Sequence, residues 1–215
     1  EALEQTPQMQ ELLHGEMPME RFRWQIRQNY QYLLEYTKCW AVGFAKAHGF
    51  DEMQQWFSIV KSTFEDTVAM NRSYWAEQIG ISCDDLENTI MAEKKRSYTA
   101  HELARAFEGD LAACMMGLFP CNVLYMHMGN DLLPLCKLDP ENMFYKWIEF
   151  YTLPAYQAKC AREIEMINRL CANKSEAELK RLLEIFAIGC NYELLQWRDM
   201  YYKMETWPLE EIFPL

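Results

Sequence analysis

The sequence predicts an all-α fold in a single domain, residues 1–215, and three observations carry that prediction. Apolar residues recur at helical spacings along nearly the whole chain. Capping signals and prolines at helix starts punctuate those runs at short intervals, with no alternating stretch that reads as a strand. Gly and Pro number only eight each among 215 residues, too few for a turn-rich β-sandwich. Half of the residues are apolar, so the chain has the material for a sizeable core.

Taken in order, Pro18 opens a long helix through Phe22, Ile26, Tyr30, Leu33, Leu34 and Val42. Gly49 and Asp51 mark a turn, and Asp51 with Gln54 reads as a capping box ahead of Trp56, Ile59, Val60, Phe64 and Val68. Gly80 closes that run. Ser82 with Asp85, Thr99 with Glu102, and Ser175 with Glu178 read as three further caps. From Leu111 to Asn130 there is no Asp, Glu, Lys or Arg, a length that could span a membrane. Pro120, Asn122, His127 and Asn130 within it favour a core helix broken near Pro120. Asp139-Pro140 reads as the N-cap and first residue of a helix through Met143, Phe144, Trp147 and Ile148, and Pro154 restarts the chain into Cys160, Ile164, Ile167 and Leu170. The last helix runs from Leu179 through Ile188 and Trp197 towards Met200. Helices of ordinary length then number roughly seven to nine, packed antiparallel through short connections.

The formal charge is −11. An acidic surface repels phosphate backbones and anionic lipids, so the expected partner is a small molecule or another protein, not nucleic acid or a membrane. The eight cysteines form no Cys-x-x-Cys pair and read as reduced thiols of a cytoplasmic protein. Glu1-Ala2-Leu3-Glu4 has neither a basic nor an apolar run, so no signal peptide is expected there. Metal is not expected. The only Glu-x-x-His is Glu11–His14, where a di-iron bundle needs two, and Cys/His ligands are not clustered.

Three constellations could carry chemistry. Cys121 follows Pro120; if a helix restarts there, the thiol lies in its first turn, where free N–H groups and the dipole stabilise a thiolate, with Tyr125 on the same face. Cys121 also fits a small hydrophobe of the core. Asn29 and Tyr32 share a helical face and can point into one cavity, or belong to an ordinary tyrosine stripe. Glu193, set among Ile188, Gly189, Cys190, Leu194 and Leu195, is either a carboxyl of raised pKa suited to proton transfer or a solvated surface group.

Six landmarks in order tie these features together: Gly15-Glu16-Met17-Pro18 with Phe22; Gln28-Asn29-Tyr30-Gln31-Tyr32-Leu33; Ser97-Tyr98-Thr99; Phe119-Pro120-Cys121 with Tyr125; Tyr145, Trp147, Ile148 and Tyr151; and Tyr192-Glu193 with Trp197. From about Gly15 to Met204 the chain resembles the TenA family, the thiaminase II or aminopyrimidine aminohydrolase group. That resemblance implies a haem-oxygenase-like bundle, a homotetramer, and a thiamin-salvage hydrolase working without metal or organic cofactor. It makes Cys121 the nucleophile and Glu193 the proton-handling group. Tyr32, Tyr98, Tyr125 and Tyr151 become pocket walls, with Tyr151 near Glu193, and Asn29 a contact to the pyrimidine. The chain departs from the family pattern where Asn29 replaces an aspartate, Thr67 and Asn71 replace Glu and His, and Gln196 replaces an aromatic. These changes imply altered substrate choice. The competing implication is a non-catalytic pyrimidine-binding or regulatory protein. A haem-handling relative would need a histidine on an early helix, but His14 precedes the long helix and His48 ends it.

Overall fold

The computed structural model describes residues 1–208, apart from the side chain of Asp66. Eleven α-helical segments and no strand occur among the described residues. They are α1 (Pro7–His14), α2 (Met19–Lys46), α3 (Gly49–Ser62), α4 (Ala76–Ile79), α5 (Cys83–Glu87), α6 (Glu93–Glu108), α7 (Leu111–Leu132), α8 (Met143–Phe150), α9 (Pro154–Cys171), α10 (Glu176–Leu195) and α11 (Tyr201–Lys203). The count exceeds the expected seven to nine because α4, α5 and α11 are about one turn each, too short to show a period. Wide π-helical turns cover Thr63–Val68, Asn71–Trp75 and Gln196–Met200.

The caps divide cleanly. Ser82–Asp85 and Ser175–Glu178 form reciprocal capping boxes. The other two predicted boxes do not form. Asp51 lies inside α3, whose N-cap is His48, with the Glu52 carboxylate taking the His48 N–H at 2.7 Å. Thr99 lies inside α6, where Glu102 turns into the core. Asn142, not Asp139, caps α8, accepting from the Phe144 N–H at 2.9 Å. Asp139 caps only a tight turn, through the Glu141 N–H. Helix α1 is a further addition; its buried Gln8 pairs with buried Gln25 of α2 at 2.6 Å.

Helix α7 is the axis of the bundle. It is apolar enough to cross a membrane by length and composition, yet most of it is buried by other helices. Contrary to expectation it runs unbroken through Pro120. A proline in a helix interior removes one ladder bond and crowds the preceding turn. Tyr36 donates to the Leu118 carbonyl at 2.9 Å, and α10 presents Gly189 to the proline ring. A Cβ at Gly189 would stand 2.6 Å from Pro120 Cγ, so only glycine lets α10 approach this closely.

Candidate active site

A narrow cleft, with a cavity of about 50 Å³, opens beside the middle of α7, in the setting of a small-molecule site between helices. Cys121 and Tyr125 face it from α7, Asn29 and Tyr36 from α2, and Trp147 and Phe150 from α8, with Tyr151 just beyond. Asn122, Tyr156 and Lys159 complete one side. The opposite wall comes from the π-helical stretch after α3, which contributes Thr63, Thr67, Met70, Asn71 and Trp75. Widened turns of this kind recur at functional sites. Among the described lining residues none is Asp or Glu, and the cation is Lys159.

The aromatic wall is locked by its own contacts. Tyr125 and Tyr151 have ring centroids 5.0 Å apart, Trp147 stands edge-on to Tyr151, and the Trp197 indole N–H donates to the Tyr125 hydroxyl at 3.0 Å. The Gly129 backbone lies against Tyr151, where a Cβ would come within 2.8 Å of the tyrosine Cβ. Two polar atoms of the π-helical wall are buried and unpartnered by protein: Thr63 Oγ1 and Asn71 Oδ1. Asn71 spends its Nδ2 on the Thr67 carbonyl at 2.8 Å, which aims Oδ1 elsewhere. Unsatisfied buried groups cost stability and call for a ligand. Thr63→Val, which removes one such group without changing shape, is expected to stabilise the empty protein by about 1 kcal/mol while raising KM. Thermal denaturation read beside steady-state kinetics checks both halves.

Cys121 does not sit where the sequence places it. Because α7 is continuous, the thiol lies in mid-helix, beyond reach of any N-terminal dipole. Burial, and then the charge of Glu193, push it well above an ordinary thiol. The resting group is therefore a thiol, not a thiolate, and needs a base. Glu193 is that neighbour. It projects from α10, is 1% exposed, and neither oxygen is satisfied by a well-formed hydrogen bond. Burial raises its pKa, opposed by Lys95 and by the Tyr98, Cys121 and Tyr125 groups it faces.

Of the residues singled out in the sequence, Cys121, Asn29, Thr67, Tyr125 and Tyr151 line the cleft. Tyr32, Tyr98 and Glu193 do not; they stand behind Cys121. Tyr32 is the centre of a stacked column, 5.3 Å from Tyr36 and 5.5 Å from Tyr98, whose far face stacks on Tyr192 at 5.4 Å. Its hydroxyl donates to Glu102 at 2.7 Å. Burial, and then the charges of Cys121 and Glu193, hold the phenol of Tyr151 well above its ordinary range. Sequence reasoning missed Thr63, Met70, Trp75, Tyr156 and Lys159 in the walls, and Lys95 with Glu102 behind them. The absence of charge from Leu111 to Asn130, nearly all of α7, was the one signal available for a buried pocket.

An all-α bundle with an aromatic cleft, a cysteine on its wall and a buried glutamate behind that cysteine defines the class. The chain belongs to the TENA/THI-4/PQQC family, whose sequence profile matches residues 7–204. It is 27% identical over 197 residues to an aminopyrimidine aminohydrolase of Helicobacter pylori, covering 92% of this chain and 90% of that one. It is 28% identical over 202 residues to the Bacillus subtilis (strain 168) protein of the same name, covering 94% and 84%. Among solved structures, a TenA homologue from P. horikoshii OT3 superposes with a TM-score of 0.83 at 21% identity, covering 94% of this chain and 91% of that one. A TenA family transcription regulator from Silicibacter sp. TM1040 gives 0.81 at 24% identity, covering 89% and 86%. These structural likenesses establish the fold.

Proposed function

We propose that the protein is an aminohydrolase that releases the amine from an aminopyrimidine such as 4-amino-5-(aminomethyl)-2-methylpyrimidine, leaving the hydroxymethyl pyrimidine, with thiamin a secondary substrate. The observation that carries this reading is the Cys121 thiol at the cleft, backed by the unpartnered carboxyl of Glu193. The names of the relatives point the same way.

The chemistry follows from that pair. The thiol proton passes to the Glu193 carboxylate as sulfur bonds to a ring carbon, and the ring becomes electron-rich. Electron density moving out of the ring breaks the bond from the methylene to nitrogen, and Glu193 returns the proton to the departing amine. Water adds to the exposed methylene and gives Glu193 a proton; expulsion of sulfur, reprotonated by Glu193, restores the aromatic ring. The aromatic walls hold the flat ring and exclude bulk water.

The altered wall sets the preference. Asn29 can accept from an exocyclic amine but cannot pair with a protonated ring, and thiamin's permanent cation meets no carboxylate on the described lining. The test is amine release from the aminomethyl pyrimidine and from thiamin by the natural protein and Asn29→Asp. The natural protein is expected to favour the aminomethyl pyrimidine, and Asn29→Asp to raise turnover of both, thiamin the more. Pyrimidine binding without turnover by either protein would refute the enzyme and indicate a binding protein.

A further inference from the structure

Behind the cleft lies a buried charge cluster that the chemistry above leaves unused. Lys95 of α6 is 1% exposed. Its ammonium donates to the neutral Oε1 of Gln196, lies 4.0 Å from the centroid of the Tyr32 ring and 5.3 Å from that of Tyr201. A neutral amide and two ring faces orient a cation without neutralising it. Glu102, on the same helix, is fully buried; one oxygen takes the Tyr32 hydroxyl and the other is unpartnered. Together with Glu193 and Cys121, this region holds one cation and three acids.

An ion in such a region is tolerable only when balanced. Burial lowers the pKa of Lys95 and raises those of Glu193, Cys121 and Glu102; against that burial, attraction between Lys95 and each of the three favours the charged forms on both sides. The remaining groups facing the cluster are Tyr32 and Tyr36 of α2, Tyr98 of α6, Tyr125 of α7, Tyr151 beyond α8 and Tyr201 of α11. Burial holds all of these well above the ordinary phenol, and pushes Cys190 of α10 up to about 11. On α9, Tyr156 is raised in the same way, while Glu163 accepts from Asn122 through both oxygens at 2.9 Å. The second cation nearby, Lys159 of α9, donates to Asn122 Oδ1 at 3.3 Å and faces Glu163.

We propose that Lys95 is a positioning residue whose buried ammonium keeps one negative charge on the Cys121–Glu193 pair, so that Glu193 waits as a carboxylate ready to take the thiol proton. Its use in turnover rests on the aminohydrolase reading; the charge balance itself does not. When sulfur bonds to the ring, its proton moves to Glu193 and the negative charge moves from carboxylate to adduct. The total is unchanged and Lys95 offsets it before and after, as a preorganised site requires. The neutral Gln196 matters to this. A carboxylate at that position would claim the ammonium and leave the pair unbalanced.

The test needs no substrate. Alkylation of Cys121 by iodoacetamide is followed against pH by peptide mass spectrometry in the ligand-free protein. Lys95→Met is expected to move the midpoint of reactivity upward by about one unit or more, a tenfold loss of rate at neutral pH. Should Lys95→Met fail to fold, Gln196→Glu, nearly isosteric, is expected to move it in the same direction. A merely structural role would lower the melting temperature and leave the midpoint in place. A wild-type midpoint in either folded variant overturns the proposal. A shifted midpoint in a protein that turns over no aminopyrimidine would instead overturn the aminohydrolase reading and leave this one standing.

Discussion

Cys121→Ala is expected to lower amine release by roughly a thousandfold or more, with the fold and the affinity for the pyrimidine retained. The size follows from the route. Without sulfur on the ring, the leaving amine must depart from an aromatic system that cannot supply electron density. Positioning by the aromatic walls then remains as the only source of acceleration. The fold should survive because Cys121 is half-buried at the edge of the cleft and lies beside the core rather than at its centre. Steady-state kinetics and calorimetric titration with the aminopyrimidine check both parts. Undiminished turnover in the variant would dismiss covalent catalysis by this residue.

Glu193→Gln should cost roughly a hundred- to ten-thousandfold in kcat, the usual range for a lost general acid–base, and should also erase a feature of the pH profile. Burial lifts the Glu193 carboxyl above its ordinary value, so the base is available only above that raised pKa. In the natural protein kcat/KM therefore falls on acidification through a limb lying above the ordinary carboxylate range; in the variant that limb is absent. Stability moves the other way. A carboxyl that binds its proton more tightly when folded makes the native state lose stability as pH rises through the window above the unfolded value. Glu193→Gln removes this loss, so from acid to neutral pH the variant's melting temperature should fall less than the natural protein's. A natural protein whose melting temperature falls no more than the variant's across that window would contradict the assignment of Glu193 as a buried base of raised pKa.

The contrast between what could and could not be read from the chain is physical. The long helices were legible because they bury one stripe, and Ser82 and Ser175 were legible as caps because their partners lie three residues on in exposed positions. Thr99–Glu102 carries the same signature and fails, because Glu102 finds a better partner in Tyr32, seventy residues back in the chain. No local pattern reports such a pairing. Lys95 suffers the same way: in a helix rich in Lys and Arg it reads as solvated, and only the packing of α6 against α2 and the turn after α10 encloses it. The π-helical wall was invisible because its widened turns follow no 3.6-residue period. Cys121 with Tyr125 and Glu193 stood out from their neighbours in the chain, but only the resemblance chose a chemical role for them over a place in the core for Cys121 or on the surface for Glu193. That resemblance also placed Tyr32 and Tyr98 in the pocket wall, where the structure shows Tyr36 instead, while Asn29 lines the cleft as the resemblance implies.

The contact between Gly189 and Pro120 acts as a ruler for the reaction. Cys121 follows the proline directly, and Glu193 lies one helical turn beyond the glycine. The spacing of the two helices that carry nucleophile and base is therefore gauged by the α10 main chain seated on a rigid proline ring. A bundle gauged in this way can exchange most of its cleft lining, and with it its choice of substrate, while the reacting pair keeps its spacing.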